Sequence, residues 1–142
     1  MIHDVSRIQS YLKGLYKQPT QLLVEPTGSQ YICDPPPFLE NSDVDYVVYC
    51  GTKDNLKSLR TTLMNDSWVF GGSLFEDNDF ASFKKQMDKD GPVINLITTH
   101  KRKFFDYFVL ATKIAKDYNV IDKEKRVKLF EDVRRGKTWV DV

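Results

Sequence analysis

Hydrophobic positions repeat at helical spacing near the start of the chain. Ile8, Leu12 and Leu15 are three or four residues apart, and Ser6 precedes them as a candidate N-terminal cap. Apolar side chains at this spacing predict an amphipathic helix with one buried face. We therefore predict a first helix over about residues 6 to 17.

Short apolar stretches bounded by turn residues follow, and these predict strands. The first, "TQLLVEPTGS" (20–29), ends in a Gly-Ser turn, and the stiff proline-rich loop "CDPPPFLEN" separates it from the second, "SDVDYVVYC" (42–50). Side chains along a strand alternate between its two faces. Asp43 and Asp45 therefore share one face of the second strand with Val47.

The remaining pattern predicts a helix, three strands and two more helices. A helical repeat covers residues 54 to 66, and "WVFGGS", "FASFKKQ" and "PVINLITT" read as strands, the last two joined by the turn "MDKDG". Beyond residue 100, one apolar helical stripe ends at Asn119 and a second ends at Gly136. This order predicts an α+β fold in which a mixed β-sheet is flanked by helices and followed by a C-terminal helical pair.

Composition favours a single domain. The chain has 142 residues, of which 41% are hydrophobic, so we expect one domain over 1–142, with a sheet core over about 20–100 and C-terminal helices over about 101–136. The apolar runs are shorter than a membrane span and the first residues lack a secretory-signal pattern, so we expect a cytoplasmic protein with no membrane partner. Cys33 and Cys50 are expected to be reduced and to carry no chemistry.

Charge is distributed unevenly. The net charge is +1, but residues 101–142 hold twelve Lys and Arg against seven Asp and Glu. A basic segment favours a phosphate-bearing or acidic partner, whereas the solvated outer faces of two amphipathic helices explain the same charge more simply. The oligomeric state is left open by the sequence.

Asp43 and Asp45 pose an electrostatic problem, since like charges on one strand face repel unless a cation lies between them. Mg²⁺ prefers oxygen ligands and is typically held by one or two carboxylates together with substrate phosphates. Gly28 and Ser29 suit such a phosphate, because glycine lets the backbone approach closely and the serine hydroxyl donates a hydrogen bond. The alternative is that both aspartates simply face solvent at the start of a strand.

The sequence "TGS", followed after a loop by "SDVD" and an apolar strand, resembles the nucleotidyltransferase superfamily typified by DNA polymerase β, especially its minimal nucleotidyltransferases. The later run "NLITT…FFDYFVLATKIAKDYNV…KEKRVKLF" resembles small phage-encoded nucleotidyltransferase-like proteins, which would place this chain in a host cytoplasm. The likeness covers about residues 22 to 135. The spacer of 13 residues between Ser29 and Asp43 is somewhat longer than usual for this pattern.

This resemblance implies a protein that uses Mg²⁺, or alternatively Mn²⁺, to bind a nucleoside triphosphate and to transfer its nucleotidyl group to a hydroxyl of a protein, RNA or small molecule. It gives Asp43 and Asp45 the role of metal ligands, and it gives Gly28 and Ser29 the triphosphate. It also implies a third carboxylate on a neighbouring strand, which binds a second metal ion and helps to activate the acceptor. The matching candidate catalytic residue is Asn95.

Asn95 departs from the family pattern, because an amide carries no charge and cannot accept a proton near neutral pH. Two hypotheses follow: an active nucleotidyltransferase, or a catalytically degenerate protein that sequesters a nucleotide or engages a host or toxin protein. Three acidic residues of the adjoining hairpin are candidate replacements for the carboxylate: Glu76, Asp79 and Asp90. A glycosyltransferase with its own Asp-x-Asp motif is disfavoured, since such enzymes need a larger nucleotide-sugar domain.

Overall fold

A computed structural model describes residues 2–17, 21–72 and 80–136. In chain order, the helices and strands of these ranges are α1 (Val5–Leu15), β1 (Leu23–Thr27), α2 (Ser29–Ile32), β2 (Val44–Tyr49), α3 (Lys53–Asn65), β3 (Val69–Gly72), β4 (Phe80–Gln86), β5 (Val93–Thr99), α4 (Arg102–Asp117) and α5 (Lys123–Arg134). A short 3₁₀ turn, Leu39–Asn41, lies between α2 and β2. None of the helices in these ranges is both long and apolar enough to cross a membrane.

The elements predicted from the sequence are present, with ends that differ by a few residues. The first helix begins earlier than predicted because its N-terminal cap is Asp4, whose side chain accepts a hydrogen bond of 3.0 Å from the backbone N–H of Arg7. The assignment of Ser6 as the cap was therefore wrong. The Gly-Ser turn continues into α2, a single helical turn.

The five strands form one mixed sheet in the order β1-β2-β5-β4-β3. β2 and β5 are parallel, and the other three neighbouring pairs are antiparallel. β4 and β5 form the hairpin that the "MDKDG" turn predicted. The predicted α+β fold, with a mixed sheet flanked by helices, is confirmed. Because β5 lies beside β2, the "PVINLITT" strand is a direct neighbour of the strand that carries Asp45.

Helices pack on both faces of the sheet. One hydrophobic core joins α1 and α3 to the face of β2 that carries Tyr46 and Val48. The other joins α2, α4 and α5 to the opposite face, where Val47 and Ile97 lie. The predicted alternation along β2 is thus confirmed. Asp45 shares the second face with Val47 and consequently points toward α4 and α5.

Candidate functional site

Four strands each contribute one polar residue to a row across the sheet. Asp45 on β2 pairs with Thr27 on β1 and with Asn95 on β5, and Asn95 pairs in turn with Lys84 on β4. The row lies on the α4 face, because Thr27 Oγ1 is 2.7 Å from Thr112 Oγ1 of that helix. The register of the sheet therefore places a carboxylate, an amide and an ammonium group side by side.

Gly28 lies against the carboxylate of Asp45. Its φ of 80° and ψ of 179° define a conformation that is essentially restricted to glycine. A Cβ atom added at Gly28 would lie 2.0 Å from Asp45 Oδ2, far inside van der Waals contact. Glycine is required here for both reasons. The turn expected to hold a phosphate thus touches an aspartate expected to hold a metal ion.

Ser29 is linked to the start of β2 through a second serine. Ser29 Oγ lies 2.6 Å from Ser42 Oγ, and the Ser42 hydroxyl is 3.3 Å from the backbone oxygen of Asp43. This contact links the Gly28-Ser29 turn to Ser42, the residue directly before Asp43. Sequence reasoning missed Ser42, and its only signal was its position directly before Asp43.

Burial dominates the electrostatics of Asp45. It raises the pKa of this carboxyl to about 7; a hydrogen bond from the Asn95 amide opposes this rise, and the charge of Asp43 adds to it. The positive charges of Lys84 and Arg126 lower the pKa again. A carboxylate that has lost this much hydration is stabilised by a cation placed beside it.

Asn95 has one satisfied and one unsatisfied polar atom. Its amide group lies beside Asp45 in the sheet and lowers the pKa of that carboxyl. Its Oδ1 atom is buried and accepts no hydrogen bond from the part of the chain that the structure describes. Buried polar atoms without a partner are uncommon in folded proteins and are energetically unfavourable. Asn95 Oδ1 therefore lacks a partner of the kind that a ligand or a cation could supply.

Asp43 is paired with a lysine. Lys84 Nζ lies 2.8 Å from Asp43 Oδ2, and the two side chains are 45% and 29% exposed. Sequence reasoning missed Lys84, because its proximity to Asp43 depends on the pairing of β4 with β5 and of β5 with β2. A single strand gives no signal for such a contact.

A cavity of about 880 Å³ opens over the polar row. This volume is within the range of about 300–1,000 Å³ that is usual for ligand sites. All five predicted site residues line it: Gly28, Ser29, Asp43, Asp45 and Asn95. The opposite wall combines apolar and basic side chains, among them Ile32, Phe108, Lys123, Arg126, Val127 and Phe130.

Of the three candidate replacement carboxylates, Asp90 alone is within the described residues, and it does not lie at this site. Asp90 lies in the exposed β4–β5 turn with a φ of 64° and does not line the cavity. Glu76 and Asp79 lie outside the described residues. Asn95 thus remains the polar residue that β5 places beside Asp45.

The cavity wall is fixed by hydrogen bonds between the proline-rich loop and the C-terminal helices. The Asp34 backbone N–H donates to Asn119 Oδ1, and Asn119 Nδ2 donates to the Asp34 carbonyl, each at 2.9 Å. Arg126 Nη1 donates to the backbone carbonyls of Val120 and Ile121 and lies 3.4 Å from Cys33 Sγ. These contacts hold the loop and α5 together on one side of the cavity.

The N-terminal segment supports the opposite side. His3 is buried, and its Nε2 atom lies 3.0 Å from the backbone oxygen of Asp45. Its ring also meets Tyr31 and Tyr46 edge to face, at centroid separations of 5.5 and 5.1 Å. Burial lowers the pKa of His3, so the ring is neutral near pH 7. The residue thus positions the end of β2 that carries the aspartate.

The oxygen atoms of the cavity floor suit a hard divalent cation. Asp43 and Asp45 supply carboxylates, and the unsatisfied Oδ1 of Asn95 supplies a neutral oxygen. Mg²⁺ commonly takes one or two protein carboxylates and completes its shell with water and phosphate oxygens. No cluster of three or more His, Cys, Asp or Glu suited to a metal ion occurs in the described ranges. The donor set therefore fits a cation that shares its shell with a bound ligand.

A substitution at Gly28 tests this geometry. Gly28→Ala is expected to lower the free energy of unfolding by about 2 kcal/mol or more, because it combines a strained positive φ with a clash against Asp45. Thermal and urea unfolding measure the change. Gly14→Ala is the matched control: no atom lies within 4 Å of the added Cβ near the end of α1, so the effect should be neutral or stabilising. Equal stability of the two variants would contradict the contact.

Comparison with known proteins shows the fold. No family model matches the chain, and no curated protein matches it significantly. Among solved structures, the conserved protein GrpB from Enterococcus faecalis has a TM-score of 0.50 at 13% identity, over 93% of this chain and 91% of that chain. The small alarmone synthetase 1 from Bacillus subtilis has a TM-score of 0.50 at 10% identity, over 93% and 83%.

The Cid1 poly(U) polymerase with bound MgGTP has a TM-score of 0.48 at 14% identity and covers 87% of this chain, which in turn spans 37% of the polymerase. At such identities a likeness concerns the fold alone. The fold of this chain is nucleotidyltransferase-like.

Proposed function

We propose that this chain binds a nucleoside triphosphate together with Mg²⁺ in the cavity over the polar row and transfers the nucleotidyl group to a hydroxyl acceptor. One observation carries the proposal. The Gly28 turn is in van der Waals contact with the Asp45 carboxylate, so the phosphate-binding and metal-binding parts of the motif form one continuous cavity floor. The nucleotidyltransferase-like fold supports it.

Each residue of the floor has a role in this proposal. Asp43 and Asp45 hold the metal ion, Gly28 lets the Asp45 carboxylate lie directly against the turn, and the Ser29 hydroxyl donates to a phosphate oxygen. When bound, Mg²⁺ neutralises phosphate charge and favours attack at the α-phosphorus. Asp45 is partly buried, and the reduced dielectric around it strengthens its attraction for a cation.

The reaction is a substitution at phosphorus. The acceptor oxygen forms a bond to the α-phosphorus, the bond from that phosphorus to the bridging oxygen breaks, and pyrophosphate leaves with the electron pair. The acceptor proton passes to water, because the neutral Asn95 amide cannot take it near neutral pH. The cavity is large enough to hold a nucleotide beside its apolar wall.

Asn95 favours a second candidate function. A protein that lacks the base carboxylate retains the surfaces for metal and phosphate but loses general-base assistance, which is commonly worth roughly 10²- to 10⁴-fold in rate. Such a protein would sequester a nucleotide or use the nucleotide-bound form to engage a host or toxin protein. Its origin from a phage remains a prediction from sequence resemblance.

One screen separates these functions. Each of the four ribonucleoside triphosphates is added with Mg²⁺ or Mn²⁺, and thermal unfolding is followed beside pyrophosphate release, with total RNA or denatured protein as acceptor. The proposal predicts a rise in the unfolding midpoint that requires both triphosphate and metal, together with pyrophosphate release. A shift without release supports the second candidate. The absence of any metal-dependent shift contradicts both.

A further inference from the structure

We propose that this site takes a single divalent cation, and that the ammonium group of Lys84 occupies the place of a second one. The inference deepens the proposed function and rests on it, because it concerns the same cavity. It also gives a physical reason why position 95 has a neutral asparagine, Asn95, and not a carboxylate.

The position of Lys84 is the first observation. The residue belongs to β4, which is separated from β2 by β5. Neighbouring strands lie about 4.8 Å apart, so a side chain from β4 must cross β5 to reach the start of β2. The side chains of Lys84 and Asp43 span this distance together: Lys84 Nζ is 2.8 Å from Asp43 Oδ2. In the sheet register, the β5 residue paired with Lys84 is Asn95.

The lysine stem has a defined path. A Cβ atom added at Gly71 would lie 3.3 Å from Lys84 Cε and 3.4 Å from its Cγ, so the stem runs over a glycine of β3 that leaves space for it. The ion pair itself is partly exposed, at 45% and 29%. Exposed ion pairs contribute little to stability. Stabilisation of the fold therefore does not account for this pair.

Charge balance is the second observation. The family scheme combines three carboxylates with two divalent ions, which leaves one net positive charge to face the triphosphate. The floor of this cavity has the carboxylates of Asp43 and Asp45, the ammonium of Lys84 and a neutral amide at Asn95. One divalent ion brings this set to the same net charge. A second divalent ion would be repelled by the ammonium group of Lys84. This cavity also has one carboxylate fewer than the family scheme to offset that repulsion.

The unsatisfied oxygen is the third observation. Asn95 Oδ1 is buried without a hydrogen-bond partner among the described residues, and the residue is the direct neighbour of Asp45 in the sheet register. A carboxylate in this position would compete with Asp43 for the Lys84 ammonium group. The neutral amide leaves the pair between Lys84 and Asp43 intact, and the lysine and the asparagine are therefore expected to act together.

Counting bound Mn²⁺ tests the inference without reference to activity. The chain is saturated with the α,β-methylene analogues of the four ribonucleoside triphosphates, and bound Mn²⁺ is measured by equilibrium dialysis and electron paramagnetic resonance. We expect one isolated ion per chain in the parent. The double variant Lys84→Met with Asn95→Asp is expected to bind two ions about 4 Å apart, which give a spin-coupled signal.

Lys85→Met is the matched control. Lys85 is the next residue on β4, and its Nζ atom pairs with Asp66 Oδ2 at 3.3 Å, away from the cavity. This control should bind one ion, like the parent. Thermal unfolding and analogue binding establish that each variant is folded.

The outcomes separate the inference from the function on which it rests. Two coupled ions in the parent overturn the inference and leave the proposed function standing. One ion in the folded double variant also overturns the inference. If the parent binds no Mn²⁺ in the presence of any analogue, the proposed function and the inference are both overturned.

Discussion

Asp45→Asn is expected to stabilise the metal-free protein and, in the same variant, to eliminate Mg²⁺-dependent triphosphate binding. The carboxylate is desolvated strongly enough to raise its pKa to about 7, and asparagine keeps its shape while removing its charge. Asn95 can still donate to the new amide oxygen. The substitution therefore separates the effect of the Asp45 charge on the free energy of unfolding from its effect on ligand binding.

The expected magnitudes follow from the pKa. An increase from 3.8 to about 7 corresponds to about 4 kcal/mol of stability lost when the group ionises, and solvent screening of this partly buried carboxylate reduces the loss to about 2–4 kcal/mol. Because the pKa in the folded state is above that of the unfolded state, this loss is complete above about pH 7 and absent below about pH 4. Urea unfolding at pH 8 without metal should show the gain in the variant. The affinity of the Asp45→Asn variant for triphosphate in the presence of metal should fall roughly 100-fold or more. Loss of a residue that only hydrogen-bonds to a metal ligand commonly costs about 10- to 100-fold, and loss of the ligand itself should cost at least as much.

Asp43→Asn is the matched comparison for stability. Asp43 is partly exposed and paired with Lys84, so removal of its charge should change the free energy of unfolding by about 1 kcal/mol or less. Metal-dependent binding should weaken in this variant as well. If Asp45→Asn destabilises the metal-free chain, or if it binds triphosphate and Mg²⁺ as the parent does, the account of Asp45 is wrong.

Asn95→Asp is expected to raise the rate of pyrophosphate release by roughly 10²-fold or more. A carboxylate at this position can accept the proton of an acceptor hydroxyl, and general-base assistance is commonly worth about 10²–10⁴ in rate. Pairing with Lys84 weakens the new carboxylate as a base, so the gain is expected at the lower end of this range. The side chain is directly beside Asp45 in the sheet register, so the new charge is placed where the family scheme has one. Release of pyrophosphate from labelled triphosphate under single-turnover conditions measures the effect.

The same substitution should destabilise the metal-free chain, because it adds a carboxylate next to one that is already partly buried and has a raised pKa. Asn41→Asp is the control for charge alone: Asn41 lines the cavity but is exposed and outside the strands. It should leave both rate and stability close to those of the parent. A rate in Asn95→Asp equal to the parent rate would show that the missing carboxylate does not limit transfer.

Local sequence pattern was sufficient to predict the helices and strands and the face of β2 on which Asp45 lies. The alternation along "SDVDYVVYC" predicted which side chains of β2 share a face, and the structure places Asp45 with Val47 on the side of α4. The turn at Gly28 was predicted from residue type alone. Its contact with Asp45 follows from the antiparallel pairing that sets Thr27 opposite this aspartate.

Contacts that depend on strand order could not be predicted from the sequence. The sheet places β5 between β2 and β4, and only that order brings Lys84 to Asp43 and beside Asn95. The hydrogen bond between Ser29 and Ser42 requires the proline-rich loop to close, and no periodicity encodes its path. The burial of His3 against Asp45 likewise depends on how the N-terminal segment crosses β2.

The central claim is that metal and triphosphate meet between the Gly28 turn and the two aspartates. Nuclear magnetic resonance of the ¹⁵N-labelled chain tests it directly. With triphosphate and Mg²⁺, the amide resonances of Gly28, Ser29, Asp43 and Asp45 should shift, and replacement of Mg²⁺ by Mn²⁺ should broaden the same signals while Thr61, on the outer surface of α3, stays sharp. Broadening centred elsewhere, or no change with any of the four ribonucleoside triphosphates, would contradict the claim.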